Sequence, residues 1–325
     1  MSSGAADKSA RDNQGVEVFG HKTSAAGLSV LSNTLLVLMK LAVGIVSGSV
    51  SIIAESIHSA NDLIAALIAF FSLRMASRPA DKEHPYGHGK IENISGTIEA
   101  VLIFVAAGFI IYEAIDKIIN KPKVEYLVLG IVVMVVSGIV NFFVSRHLLR
   151  VAKESDSIAL EADGRHLTVD VFTSIGVAFG LLLVQLTDYH LLDPIVAIAV
   201  ALLILKMAYD VLKRAFPPLI DKKLPEEEER LVAASVAEHV GPLGEAVGFH
   251  ELRTRKAGSE RYIELHLVMS SDDSIEKAHA LCDHLEEDIC SKLPNAHVTI
   301  HVEPCDHDCD SCEADCASEP PPPGP

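Results

Sequence analysis

The chain is predicted to be a membrane α-helical bundle of six transmembrane helices followed by a small α+β domain, and three observations carry that reading. The 325 residues are 49% hydrophobic and still hold a formal charge of -17, so apolar and acidic material must be segregated along the chain. The first two-thirds alternates long apolar runs with short charged connectors, whereas from about Pro217 onward the apolar runs shorten to strand length. Two apolar runs about a hundred residues apart repeat one spacing, His58 with Asp62 and His166 with Asp170.

A hydrocarbon core about 30 Å thick needs about 20 mostly apolar residues per helix. Six windows approach that: Ser24 to Ser47, Val50 to Leu73, Thr97 to Ile119, Val124 to Leu148, Ile158 to Leu186 and Pro194 to Leu212. The Ser47-Gly48-Ser49 break is too short for anything but a tight antiparallel hairpin. Lys40 is awkward within the first window, and two readings stand: it snorkels toward the nearer surface, or it pairs with an acid such as Glu55. Lys and Arg crowd the segments before the first helix (Lys8, Arg11, Lys22), between the second and third, between the fourth and fifth, and after the sixth. The opposite connectors offer only Lys117, Lys121 and Lys123, so both termini are expected in the cytoplasm. The polar N-terminal stretch has no early apolar core, so no cleavable signal peptide is expected.

Residues 1–23 are read as an N-terminal cytoplasmic tail, 24–215 as the membrane domain, 216–304 as the cytoplasmic α+β domain and 305–325 as a Cys/Pro-rich disordered tail. Within the third segment the order is helix, strand, strand, helix, strand (αββαβ). Leu224-Pro225 and the acidic run Glu226 to Glu229 suit a helix start. Phe249 to Arg255 and Tyr262 to Met269 alternate around a Lys256-Ala257-Gly258-Ser259 hairpin, Ser274 to Leu293 is a long helix, and His297 to Val302 is the last strand. A domain of about 80 residues is near the lower size limit for burying its own core, which favours a homodimer.

Residues four apart share a helix face, so each His-xxx-Asp pair aims an imidazole and a carboxylate the same way. Two such helices facing each other make an N2O2 cage for zinc or a neighbouring divalent metal. The bland alternative is a pair of polar spots gluing helices together, but a carboxylate at bilayer depth costs about 2.5–3.5 kcal/mol, and two identical pairs weaken that alternative. Asn61 and Asp163 sit near these pairs; Asp163 suits a partner that orients a ligand or an entrance charge, but a solvated helix end is the expectation.

Asp81, His84 and His88 place three ligands within eight residues of a loop where Gly87 and Gly89 permit tight turns; exposed, unliganded histidines are the rival reading. His250, His266, His279, His301 and Glu303 spread over the last domain, with His301 and Glu303 sharing one strand face. Cys282 and Cys290 fall in a helix, and in a reducing compartment all six cysteines are thiols or metal ligands. Cys305, Cys309, Cys312 and Cys316 fit either a soft-metal-scavenging tail or an incidental one, and do not match a zinc-finger spacing.

From Ser24 to Cys305 these residues resemble the cation diffusion facilitator family, especially its bacterial zinc/proton antiporters. The string His84-Pro-Tyr-Gly-His-Gly-Lys-Ile-Glu92, the run His250-Glu-Leu-Arg-Thr-Arg255 and Pro304-Cys305 carry the likeness beside the two helix pairs. The resemblance implies a transport site at His58, Asp62, His166 and Asp170, a loop site at Asp81, His84 and His88, and a cytoplasmic cluster at His250, His266, His279, His301 and Glu303 in a metallochaperone-like domain. It also implies a Lys90 to Asp221 salt bridge between the subunits of a homodimer. The expected activity is export of Zn2+ in exchange for protons across a bacterial-type inner membrane. Fe2+, Co2+, Mn2+ or Cd2+ are alternative substrates. His58 stands where several bacterial relatives have Asp, which resembles members preferring zinc over cadmium and leaves cobalt and ferrous iron open. Glu303 stands where Asp is common, and the Cys-rich tail is not a general family feature. Rival classes are an intramembrane metalloenzyme, disfavoured by the lack of an open coordination position and of a His-Glu-xx-His motif, and a non-transporting metal sensor. The lack of a Walker-type loop agrees with a non-enzymatic secondary transporter. No nucleic-acid partner is expected.

Overall fold

Six long helices account for the first two-thirds of the computed structural model, which describes residues 3–47, 50–120, 128–187, 191–241 and 245–305. They are α1 (Ser3–Ser47), α2 (Val50–Ala76), α3 (Lys90–Asn120), α4 (Val128–Ser155), α5 (Ile158–Thr187) and α6 (Leu192–Ala215). Among the described residues, five stretches are long and apolar enough to cross a membrane: Gly20–Val46, Ser56–Ala76, Lys90–Ile119, Val132–Ser155 and Leu192–Ile220. The remaining long helix, α5, concentrates Glu161, Asp163, Arg165, His166 and Asp170 in its first half. α1 extends as a helix through the segment expected to be a tail.

The connections follow from local chemistry. Asp156 turns the chain at φ 51°, a conformation Asp tolerates better than most residues. Ser157 Oγ then accepts the Leu160 amide at 3.4 Å, capping α5. α6 stops before Pro217-Pro218, which cannot supply the amides of a continuing helix. α1 packs on α2 and α4, α3 on α6 and α5, and α5 on α4, α6 and α2. Small residues line these seams: Ala65, Ala66, Ala69, Ala100, Ala107, Ala162, Ala201 and Ala208 are all fully buried, as membrane-helix packing favours.

The chain divides into two compact units, the first ending at Leu219 and the second beginning at Ile220. The second is an αββαβ sandwich: α7 (Glu226–Ala237), β1 (Gly248–Ala257), β2 (Glu260–Ser270), α8 (Ile275–Lys292) and β3 (Ala296–Cys305). β1 and β2 are antiparallel, and β3 lies parallel to β2 after the α8 crossover. Ser274 caps α8 by accepting the Lys277 amide. Ile263, Leu265, Leu267 and Met269 of the central strand pack with Val232 and Val236 of α7 and Leu281, Leu285 and Ile289 of α8. Strand alternation turns residues 262, 264 and 266 to the face away from the helices.

Candidate metal centres

α2 and α5 pack together and present their His-Asp faces to each other. The pairing crosses between helices: His166 Nε2 lies 3.2 Å from Asp62 Oδ1, and His58 Nε2 lies 4.0 Å from Asp170 Oδ1. One donor atom each from His58, Asp62 and Asp170 falls within 4.8 Å of the others. Asp62, His166 and Asp170 are largely buried, whereas His58 is 54% exposed. Two imidazole nitrogens and two carboxylates form a borderline-soft donor set that fits Zn2+ and its neighbours.

The sequence reading missed what surrounds this site. Asn141 of α4 donates through Nδ2 to Asp170 Oδ2 at 3.2 Å, fixing that carboxylate as ligands' neighbours commonly do. Lys40 is buried and donates to Ser59 Oγ at 2.8 Å, so it does not snorkel; the side chain of Glu55, the alternative partner, is not among those described. Asn61 is exposed. Asp163, expected at a solvated helix end, is only 1% exposed, because α1, α3 and α4 pack over the first turns of α5. Lys22, counted as a flanking charge, is likewise buried and pairs with Glu92 Oε1 at 3.1 Å, while Ser157 Oγ donates to Glu92 Oε2 at 2.6 Å. The one sequence signal for this interior was the seven-residue spacing of Glu92 and Glu99, which puts both on one face of α3.

In the 77–89 loop, Asp81 is the hub. Its Oδ1 accepts the amides of Glu83 and His84 and lies 3.2 Å from His84 Nδ1, and its Oδ2 lies 3.4 Å from His88 Nε2. The His84 amide holds the exposed Asp81 carboxyl below its usual range. Gly87 takes φ 80°, which lets the loop double back and bring the rings of His84 and His88 to 4.5 Å.

The second unit builds its cluster from strand register. His250, His266 and His301 are direct cross-strand neighbours on β1, β2 and β3, so their rings form a row on the sheet face away from the helices. Glu303 joins them: Oε2 lies 3.0 Å from His250 Nε2, and Oε1 lies 2.9 Å from His266 Nδ1 and 3.6 Å from His301 Nε2. The His250 hydrogen bond, then the charge of His266, holds the Glu303 carboxyl below its usual range. A bulge after His250, with Glu251 at φ 48°, brings Glu251 Oε2 to 3.7 Å from His266 Nε2. No strand alternation announces such a bulge. His279 is not brought to the cluster; it is exposed on α8 and faces Asp283 at 3.5 Å.

Lys90 opens α3. Asp221, its expected partner, sits in the second unit with Arg255 Nη1 at 3.7 Å. Cys305 is a buried thiol at the end of β3 against Val268 and Val247 rather than part of a tail, and Cys309, Cys312 and Cys316 lie outside the described residues.

The cation efflux transmembrane domain family matches residues 27–220, and the cytoplasmic domain of cation efflux proteins matches 224–305. An uncharacterized transporter of Synechocystis (sll1263) is 33% identical over 82% of this chain and 85% of its own length. The cation-efflux pump FieF of Cronobacter sakazakii is 31% identical over 88% of this chain and 94% of its own. Among solved structures, the zinc form of CzrB is 42% identical, covers 26% of this chain and 92% of its own, and gives a TM-score of 0.24. With both segments matched in order and near full-length relatives, this chain belongs to the cation diffusion facilitator family of cation efflux transporters.

Proposed function

We propose that the protein exports a divalent transition metal, Zn2+ by ligand preference, from the cytoplasm in exchange for protons. The crossed pairing of His58 with Asp170 and Asp62 with His166 carries this reading. Two carboxylates balance the charge of M2+, so an emptied site favours protons in its place, and imidazoles titrate near neutral pH. Alternating access in a homodimer, with both termini cytoplasmic, would then couple metal exit to proton entry. The pump name of the FieF relatives supports the direction. Asp81, His84 and His88, and the His250, His266, His301 and Glu303 cluster, serve as accessory metal sites in this reading. Lys90 and Asp221 link the subunits, and His279 joins the strand cluster only if the dimer brings it there.

The test is metal uptake into proteoliposomes with an entrapped pH dye, across Zn2+, Co2+, Fe2+, Mn2+ and Cd2+. Zn2+ movement with opposite proton movement, lost in Asp62→Ala and Asp170→Ala, is expected. Metal movement with no proton signal would refute the exchange, and preference for another cation would reassign the substrate.

A further inference from the structure

A second group of ionisable side chains is buried in the bundle and has no part in the crossed pairs. Glu99 of α3 is 0% exposed and Asp163 of α5 is 1% exposed. Among the described residues Glu99 Oε2 and Asp163 Oδ2 have no hydrogen-bond partner, while Ser95 Oγ donates to Glu99 Oε1 at 3.4 Å. Among the described residues no lysine or arginine pairs with either acid. On α1, Ser29 Oγ and Asn33 Nδ2 are buried and also unpartnered among the described residues, and the four-residue spacing puts Asn33 on the same helix face as Ser29. Ser29 is a neighbour of Asp163, and Glu99 and Asp163 are close enough to interact electrostatically.

Leaving two ionised carboxylates dry and unpaired is prohibitive, so the pocket requires positive occupants. Its donors are oxygens and an amide, with no imidazole or thiolate of its own, a set that suits protons better than a borderline-soft metal. Asp163 is seven residues before Asp170 on α5, about 10 Å along the axis, toward the end that carries the 77–89 loop. The Lys22, Glu92 and Ser157 contact lies nearer that end still. Other charges facing the pocket are few. His166 is the charged group in range of Asp163 besides Glu99. α6 buries only apolar side chains here, Ile204, Met207, Ala208 and Val211. α2 contributes Asp62 and His58 through the crossed pairs, and α4 contributes the neutral Asn141.

We infer that Glu99 and Asp163, with Ser29 and Asn33, form a buried proton-binding station between the metal site and the cytoplasm. Resting on the exchange reading above, this station supplies about one of the protons that leave when metal loads, beside those displaced from the crossed pairs. Each step is a transfer of H+ between a carboxyl and water or imidazole; M2+ enters as the protons depart to the cytoplasm.

The test uses full-length protein and the variants Glu99→Gln, Asp163→Asn and the double change, which keep shape and remove the charge. Zinc affinity at the crossed pairs should stay within about threefold of the parent. Protons released per zinc bound at pH 6–7, counted by calorimetry in buffers of different ionisation enthalpy, should fall by about one. Infrared difference spectra on zinc addition should show loss of protonated-carboxyl absorption in the parent, part of which is missing in either single variant, so one folded variant is enough for the assignment. Unchanged proton release and an unchanged band would overturn the station while leaving the exchange intact. Loss of one bound zinc equivalent would instead make the pocket a metal site and also overturn it. No proton release in the parent would count against the exchange reading itself.

Discussion

His166 Nε2 lies 3.2 Å from Asp62 Oδ1, and these residues come from different helices, 104 positions apart. The bond ties α5 to α2 through two of the proposed metal ligands, so a cation entering that site must replace this contact with bonds to both groups. The sister contact, His58 to Asp170, is longer at 4.0 Å, and Asp170 gains its orientation from Asn141 instead.

That difference makes Asn141 a positioning residue. Asn141→Leu removes the amide donor and leaves all four ligands in place, so the site keeps its stoichiometry. Loss of such a supporting hydrogen bond costs about 10–100-fold in metal affinity. Equilibrium dialysis with Zn2+ would measure this; wild-type affinity in the variant would show that Asp170 is oriented by the helices alone.

The α2–α5 site was legible because the four-residue period translates directly into a shared face, and the αββαβ order was legible from strand alternation around the Lys256 to Ser259 hairpin. The row His250, His266 and His301 was not, since register across β1 and β3 depends on where partner strands align rather than on any one strand's pattern. Burial of Lys22, Glu99 and Asp163 was hidden for a related reason. An apolar window marks a spanning helix, but which of its polar residues face a neighbour is set by α1, α3 and α5 packing together.

The strand cluster should respond to metal through stability. Binding only to the folded state stabilises by about 2.7 kcal/mol at free metal one hundred times Kd. Hydrogen exchange of β1, β2 and β3 amides should therefore slow on zinc addition. Glu303→Gln, which removes the carboxylate shared by all three imidazoles, should abolish that protection. His279→Ala should leave it intact in the isolated subunit; loss of protection there would show that α8 supplies a ligand.

On the edge of the same sheet, His297 offers a pH test. Its hydrogen bond to Glu260 Oε2, 3.0 Å away, raises its pKa above 6.5. A raised folded-state value means the pair contributes fully below 6.5, where the unfolded imidazole is also charged, and the contribution fades as pH rises through the folded value. The ring is 58% exposed, which limits the effect to about 0.2–1 kcal/mol. Glu260→Gln should lower the His297 midpoint in a histidine NMR titration; an unmoved midpoint would place the cause elsewhere.

Packing at the α1–α2 hairpin supplies the last prediction. A Cβ on Gly44 would stand 2.9 Å from Ile53 Cγ1 and 3.1 Å from the Ile53 backbone nitrogen, closer than side chains tolerate. Gly44→Ala must push α2 away from α1 and should destabilise the bundle by about 1–3 kcal/mol. Trimming the neighbour in Gly44→Ala/Ile53→Ala removes the side-chain clash but not the backbone one, so it should recover only part of the loss. The same displacement would strain the Lys40 to Ser59 hydrogen bond, which sits next to His58 in sequence. Zinc affinity should therefore fall together with thermal stability in Gly44→Ala; a stability loss with unchanged affinity would show that the metal site is insulated from the hairpin.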